Sequence, residues 1–182
     1  MSKRLYLASV GAVAAAIASI VSIVLVLGQG PDATRQQPAA TDSIEDAQRL
    51  VDFTLASPGD VPAQLVFDRA FVSTLAEGVQ VVELRYTFSE AAGLATDGFS
   101  THERMGVVVS QSEGNEIVSA NDPSETVGIQ GTVGSVLRGE DIGNPGLLVV
   151  EWLKGGVTFH ADAFPNDAFT EQDFLRFLNS FD

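Results

Sequence analysis

Cysteine is absent, histidine occurs twice, and only 10 of 182 residues are Lys or Arg. Without Cys there are no disulfides, no thiolate zinc ligands, no Cys nucleophile and no lipidated N-terminal Cys. Two His are too few for a His-rich metal site. The basic residues stand against 24 Asp and Glu, for a formal net charge of −14. Binding nucleic acid requires basic surface that displaces counterions from phosphates, so this balance argues strongly against it. Motifs are missing too. There is no G-x-S-x-G elbow, no P-loop, no G-x-G-x-x-G and no D-x-D-x-D-G calcium spacing.

What is present begins with one long apolar run. Leu5 to Leu27 is 23 residues without a charge. As a helix it would reach about 34 Å, against a hydrocarbon core of roughly 30 Å. Lys3 and Arg4 precede it, and the short stretch after it has only Arg35, offset by Asp32. The positive-inside rule then keeps residues 1–4 in the cytoplasm as a stub and sends the remainder outside the cell membrane, in a single pass. An uncleaved signal anchor is favoured over a cleaved signal peptide. The apolar core is too long for the latter, and Val26-Leu27-Gly28 is a poor cleavage match. Gly11, Ala15 and Ser19 recur at four-residue spacing, a pattern that supports weak self-association of spans; ordinary lipid-facing sequence is the blander reading. With four residues expected before the span, an inward signal is expected to pass through a partner, or the protein does not signal inward.

Residues 28–42 are rich in Gly, Pro, Gln and Ala and are expected to form a flexible tether. Residues 43–182 are expected to form one extracytoplasmic α+β domain. From Gly28 onward 24 acidic residues face 8 basic ones, so anionic headgroups repel the domain. Asp42-Ser43-Ile44-Glu45 has the pattern of a helix start, and the helix should stop near Phe53. Residues 64–75 and 79–88 alternate as a hairpin about Glu77-Gly78. Met105 to Gln111 is a buried strand, with a short strand run at 116–119. Thr126 to Leu137 holds one or two strands broken by Gly131 and Gly134. Residues 147–153 and 157–161 form a second hairpin around Lys154-Gly155-Gly156. Thr170 with Asp173 is a variant capping box, flanked by Phe169 and Phe174 as a staple. Phe174, Phe177, Leu178 and Phe181 then share a helix face. The expected architecture is a curved antiparallel sheet of about six to seven strands with a helix at either end.

Residues that could carry chemistry are few. His160 and Asp162 share a strand face, and His102-Glu103 is the other His site; a half-exposed sheet histidine is the favoured reading of His160. Glu113 with Glu116, Asp122 with Glu125, and Glu140-Asp141 are acidic pairs without ligand spacing. Trp152 belongs in the core. No catalytic, cofactor-binding or metal-ligating residue is assigned, and the chain is expected not to be an enzyme.

Three stretches carry a resemblance: residues 51–71 (VDFTLASPGDVPAQLVFDRAF), 81–88 (VVELRYTF) and 148–181, with Glu151-Trp152, Gly155-Gly156, Phe159 and the helix from Thr170. In this order they resemble a bacterial extracytoplasmic domain of unknown function found in anti-sigma-factor-like, single-pass membrane proteins. The resemblance implies an anchored sensor-like domain and supplies no catalytic residues. The leading expectation is therefore an extracytoplasmic binding or sensor-like domain, anchored in the bilayer through residues 5–27, whose partner is a membrane or envelope protein or an envelope ligand. An apolar groove between the sheet and the C-terminal helix would be its natural site. The alternatives are an envelope-associated hydrolase and a structural accessory subunit of a membrane complex.

Overall fold

The computed structural model describes residues 38–75, 78–89, 105–114 and 125–182. Strands β1 (Ala39–Thr41), β2 (Leu65–Thr74), β3 (Gln80–Phe88), β4 (Met105–Glu113), β5 (Glu125–Ile129), β6 (Thr132–Arg138), β7 (Leu148–Lys154) and β8 (Val157–Ala163) form one sheet. Helices are short: α1 (Ile44–Gln48), α2 (Gly139–Ile142) and α3 (Glu171–Leu178). The sheet order is β1-β2-β3-β4-β8-β7-β6-β5, with every neighbouring pair antiparallel. Two meanders, β1–β4 and β5–β8, thus meet where β8 lies against β4. The α+β antiparallel class is as the sequence predicts.

The sheet has eight strands rather than six to seven. The additional strand is β1, which lies in the stretch that composition assigns to the tether. Ala39, Ala40 and Thr41 show no apolar alternation, yet their backbone pairs with Val72, Phe71 and Ala70. A short edge strand of this kind is held by main-chain hydrogen bonds, which side-chain patterning does not report. The segment 115–124, with the run expected at 116–119, lies outside the described residues, as do His102-Glu103 and Leu5 to Leu27. Among the described residues no helix is long and apolar enough to cross a membrane.

Turn chemistry places the hairpins. Gly155 and Gly156 both have positive φ between β7 and β8, and Gln130 and Gly131 do the same between β5 and β6. These are two-residue loops whose left-handed pair matches strand twist. Gly139 begins α2 for a different reason: a Cβ there would fall onto the Asn144 carbonyl.

One face of the sheet carries the main core. Val82, Leu84 and Tyr86 of β3, Val107 and Val109 of β4, Phe159 and Ala161 of β8 and Val150 and Trp152 of β7 are all buried there. Trp152 stacks on Phe159 with ring centroids 4.7 Å apart, as its core assignment requires. Helix α3 closes this face. Thr170 and Asp173 make the reciprocal capping box, and Phe174, Phe177, Leu178 and Phe181 are each at most 1% exposed. Phe177 meets Tyr86 edge to face at 5.0 Å.

Helix α1 is shorter than its apolar spacing predicts. Ser43 rather than Asp42 is the N-cap, accepting from the Asp46 N–H, and the helix ends at Gln48. Gln48 explains the stop. Its amide donates to the Phe53 carbonyl and accepts from the Leu55 N–H, both at 2.8 Å, and so fastens the following chain in an extended path.

Candidate functional site

The connector between α1 and β2 forms a wall. Gln111, fully buried on β4, donates to the Ala56 carbonyl at 2.8 Å and accepts from the Ala56 N–H at 2.9 Å. Farther along, Ser57 and Asp182 exchange backbone bonds of 3.2 and 3.1 Å, and Gly59 donates to Ser180 at 2.7 Å. Two glutamine amides and the chain end after α3 therefore supply strand-like partners to a segment that has no sheet neighbour. Backbone groups so paired hold a fixed line.

Between this wall and α1 lies a cleft of about 680 Å³. Its lining includes Ile44 of α1, Leu55, Pro58 and Val61 of the connector, Phe67 of β2 and Tyr86 of β3. Phe67 and Tyr86 pack edge to face at 5.5 Å. The rim carries Asp42, Glu45 and Arg49. Arg49 is engaged by Asp46, whereas Asp42 and Glu45 are exposed and form no ion pair among the described residues. Tyr86 is 1% exposed, and its hydroxyl has no hydrogen-bond partner among the described residues. Burial keeps that phenol neutral by raising its pKa well above the ordinary value. This cleft is a different place from the groove between the sheet and α3 that the sequence suggests; the aromatic stripe of α3 is buried against the core.

The opposite face of the sheet holds a second polar feature. Register aligns Glu83, Ser110, His160, Glu151 and Ser135 in one row across β3, β4, β8, β7 and β6. The adjoining row is Arg85, Val108, Asp162, Val149 and Leu137. His160 Nδ1 lies 2.8 Å from Glu151 Oε1, with side chains 14% and 6% exposed. Arg85 hydrogen-bonds Glu83 and stands 4.2 Å over the Phe71 ring. Burial alone would pull the His160 pKa down; the Glu151 hydrogen bond and the charges of Asp162, Glu151 and Glu83 outweigh it and raise it. Burial pushes the Asp162 carboxyl up to about 6, with His160 and Arg85 opposing and Glu83 assisting. Asp162 Oδ1 has no hydrogen-bond partner among the described residues.

His160 and Asp162 thus share a face as their spacing predicts, but the His160 side chain is only 14% exposed and hydrogen-bonded to Glu151 rather than half-exposed. Sequence reasoning missed Glu151, Glu83 and Arg85 as its neighbours, because strand register rather than spacing brings them together. Of the acidic pairs, Glu140 and Asp141 are exposed in α2, and Glu116 and Asp122 lie outside the described residues. Among the described residues no group of three or more acidic or His side chains could hold a metal. The fold defines the class: one antiparallel eight-stranded sheet closed by a short C-terminal helix. No family model, no curated protein and no solved structure matches the chain.

Proposed function

We propose that this chain is a membrane-anchored extracytoplasmic binding domain without catalytic activity, and that the cleft beside α1 is where it binds. The observation that supports this most is the cleft itself, beside a connector whose path is fixed by the amides of Gln48 and Gln111. The cleft's lining mixes apolar side chains such as Ile44, Leu55, Val61 and Phe67 with polar ones such as Asp42, Glu45 and Ser57, and a concave surface with convergent polar groups is a usual form of a binding site. The proposed anchor adds a position. About 11 residues separate Leu27 from β1, so a coil tether over them would put this end of the sheet on the order of 20 Å from the bilayer.

A photo-cross-linking residue at Val61, on the cleft, and another at exposed Val133, on β6, test the reading in cells with the full chain. A specific adduct at 61 that persists when residues 5–27 are exchanged for an unrelated span is expected. Equal yields at both positions would contradict it, and an adduct lost with the exchange would favour the accessory-subunit reading. A hydrolase takes its support from the His160–Glu151 pair, which has the arrangement of a base with an orienting carboxylate. That pair lies on the other face from the cleft. Hydrolysis of envelope material that disappears in His160→Asn would establish this second reading.

A further inference from the structure

Resting on the proposed anchor at residues 5–27, we propose that one end of the sheet docks on the bilayer surface and that its apolar side chains enter the headgroup zone. The tether joins the sheet at that end. Ala39 of β1 pairs with Val72 and Thr41 with Ala70, so the chain arrives two residues short of the last β2 residue, Thr74. Thr74 pairs with Gln80, and the β2–β3 turn lies just beyond. The β5–β6 and β7–β8 turns fall at the same end. Register carries it across the sheet: Val81 pairs with Ser112, Ser112 with Thr158, Val157 with Lys154, and Ser135 with Glu151.

Exposed apolar side chains concentrate there. Among the described residues six large apolar side chains are exposed, and four of them, Leu50, Leu75, Val79 and Val133, lie at this end, 38–66% exposed. Leu75 and Val79 flank the β2–β3 turn, where the Leu75 N–H donates to the Val79 carbonyl at 2.8 Å. The Asp52 N–H donates to Gln80 and brings Leu50 alongside, and Val133 follows the β5–β6 turn. Exposed apolar residues scattered singly are ordinary, whereas a group at one end marks a contact surface. Charge runs the other way. Glu125, Glu140, Asp141, Glu171 and Asp173 gather at the far end about Arg138. Among the described residues of the tether end, Asp52 and Glu113 are set against Lys154, and Asp46 against Arg49. Much of the acidic excess thus stands away from headgroups that would repel it. The short tether keeps this end within on the order of 20 Å of the bilayer, so even a weak apolar contact is populated at high effective concentration. The contact leaves the cleft open, since Phe67 and Tyr86 lie toward the opposite end of their strands.

The test uses the purified full chain in phosphatidylcholine vesicles that contain a lipid with a nitroxide close to its headgroup. A fluorophore on exposed Thr74→Cys reports from the tether end, and one on exposed Val66→Cys reports from the opposite end. The Thr74 probe is expected to be quenched several-fold more than the Val66 probe. Leu50→Gln, Leu75→Gln and Val79→Gln together should bring it down to the Val66 level; all three positions are exposed, so folding is not at risk. Admixed anionic lipid should shrink the difference at low salt and high salt should restore it. Equal quenching at both positions, or quenching that the three substitutions leave unchanged, would overturn the contact. A Thr74 probe shielded from lipid in proportion to the protein-to-lipid ratio would overturn it too, and would give this end to a second copy. Flotation with the vesicles after a high-salt wash tests the anchor separately. A chain that floats without the difference in quenching loses the contact alone; one that does not float loses the anchor and the contact with it.

Discussion

Gln111 shows how much one buried polar side chain can organise. It sits on the core face of β4 among Val107, Val109 and Phe159, where an apolar residue would be expected, and both ends of its amide are used by Ala56. Replacing it with Leu leaves the part-buried N–H and carbonyl of Ala56 without their partners, at up to about 1–3 kcal/mol each. Gln111→Leu should lower stability by roughly 2–5 kcal/mol in denaturant unfolding. It should also speed amide exchange across 55–59, while exchange in β7 follows global unfolding alone. Asp162 is the opposite case, a residue the fold tolerates poorly when charged. Its folded pKa of about 6 lies above the ordinary carboxylate value. The folded state therefore holds a proton that the unfolded chain releases, and this stabilising contribution is complete below about pH 4 and lost as pH rises through about 6. His160, with its raised pKa, acts in the same sense from its ordinary value upward. Asp162→Asn stays neutral, so its stability relative to wild type should rise between pH 4 and pH 7 by up to about 3 kcal/mol. Melting curves at pH 5 and pH 8 check this; a difference independent of pH would refute the electrostatic account of that face.

At the scale of elements, α3 is the best-defined piece. Its capping box and its aromatic stripe are both visible in the sequence, because each depends on residues within one or two turns. Thr170→Ala should cost about 1 kcal/mol, read as a lowered melting temperature, through loss of the Asp173 N–H partner. Phe177→Ala should cost about 3–5 kcal/mol, because it empties a site between Tyr86 and Phe181. The hairpins β2–β3 and β7–β8 were legible for the same local reason, from alternation around glycine turns. What was not legible depends on partners distant in sequence. The edge strand β1 is hidden in Ala-rich sequence because its pairing is main-chain only. The stop of α1 at Gln48 comes from a side chain reaching ahead to Phe53 and Leu55. The row from Glu83 to Ser135 requires knowing that β8 lies between β4 and β7, which no single segment states.

For the whole molecule, the two meanders divide the work. The β5–β8 half brings Glu151 and His160 together on one face and supplies Trp152 to the core. The β1–β4 half, with α1 and the pinned connector, forms the cleft. Arg138 links β6 to the start of α3 through Glu171 at 2.9 Å, and it also bonds Glu125 of β5. These exposed pairs order the edge rather than stabilise it greatly. The cleft belongs to the N-terminal half of the described sheet, so in the proposed reading anchoring and binding would fall at the same end of the sequence. The central claim is that this cleft faces the outside of the cell and is occupied there. Because the chain lacks Cys, a single Val61→Cys reports without background. The measurement is its labelling rate by a membrane-impermeant maleimide, in intact spheroplasts or protoplasts and in purified full-length protein, with Val133→Cys as reference. The account predicts labelling without lysis, with Val61→Cys several-fold slower in cells than in the purified chain and Val133→Cys unchanged. Labelling that needs lysis, or the same ratio at both positions, would contradict it.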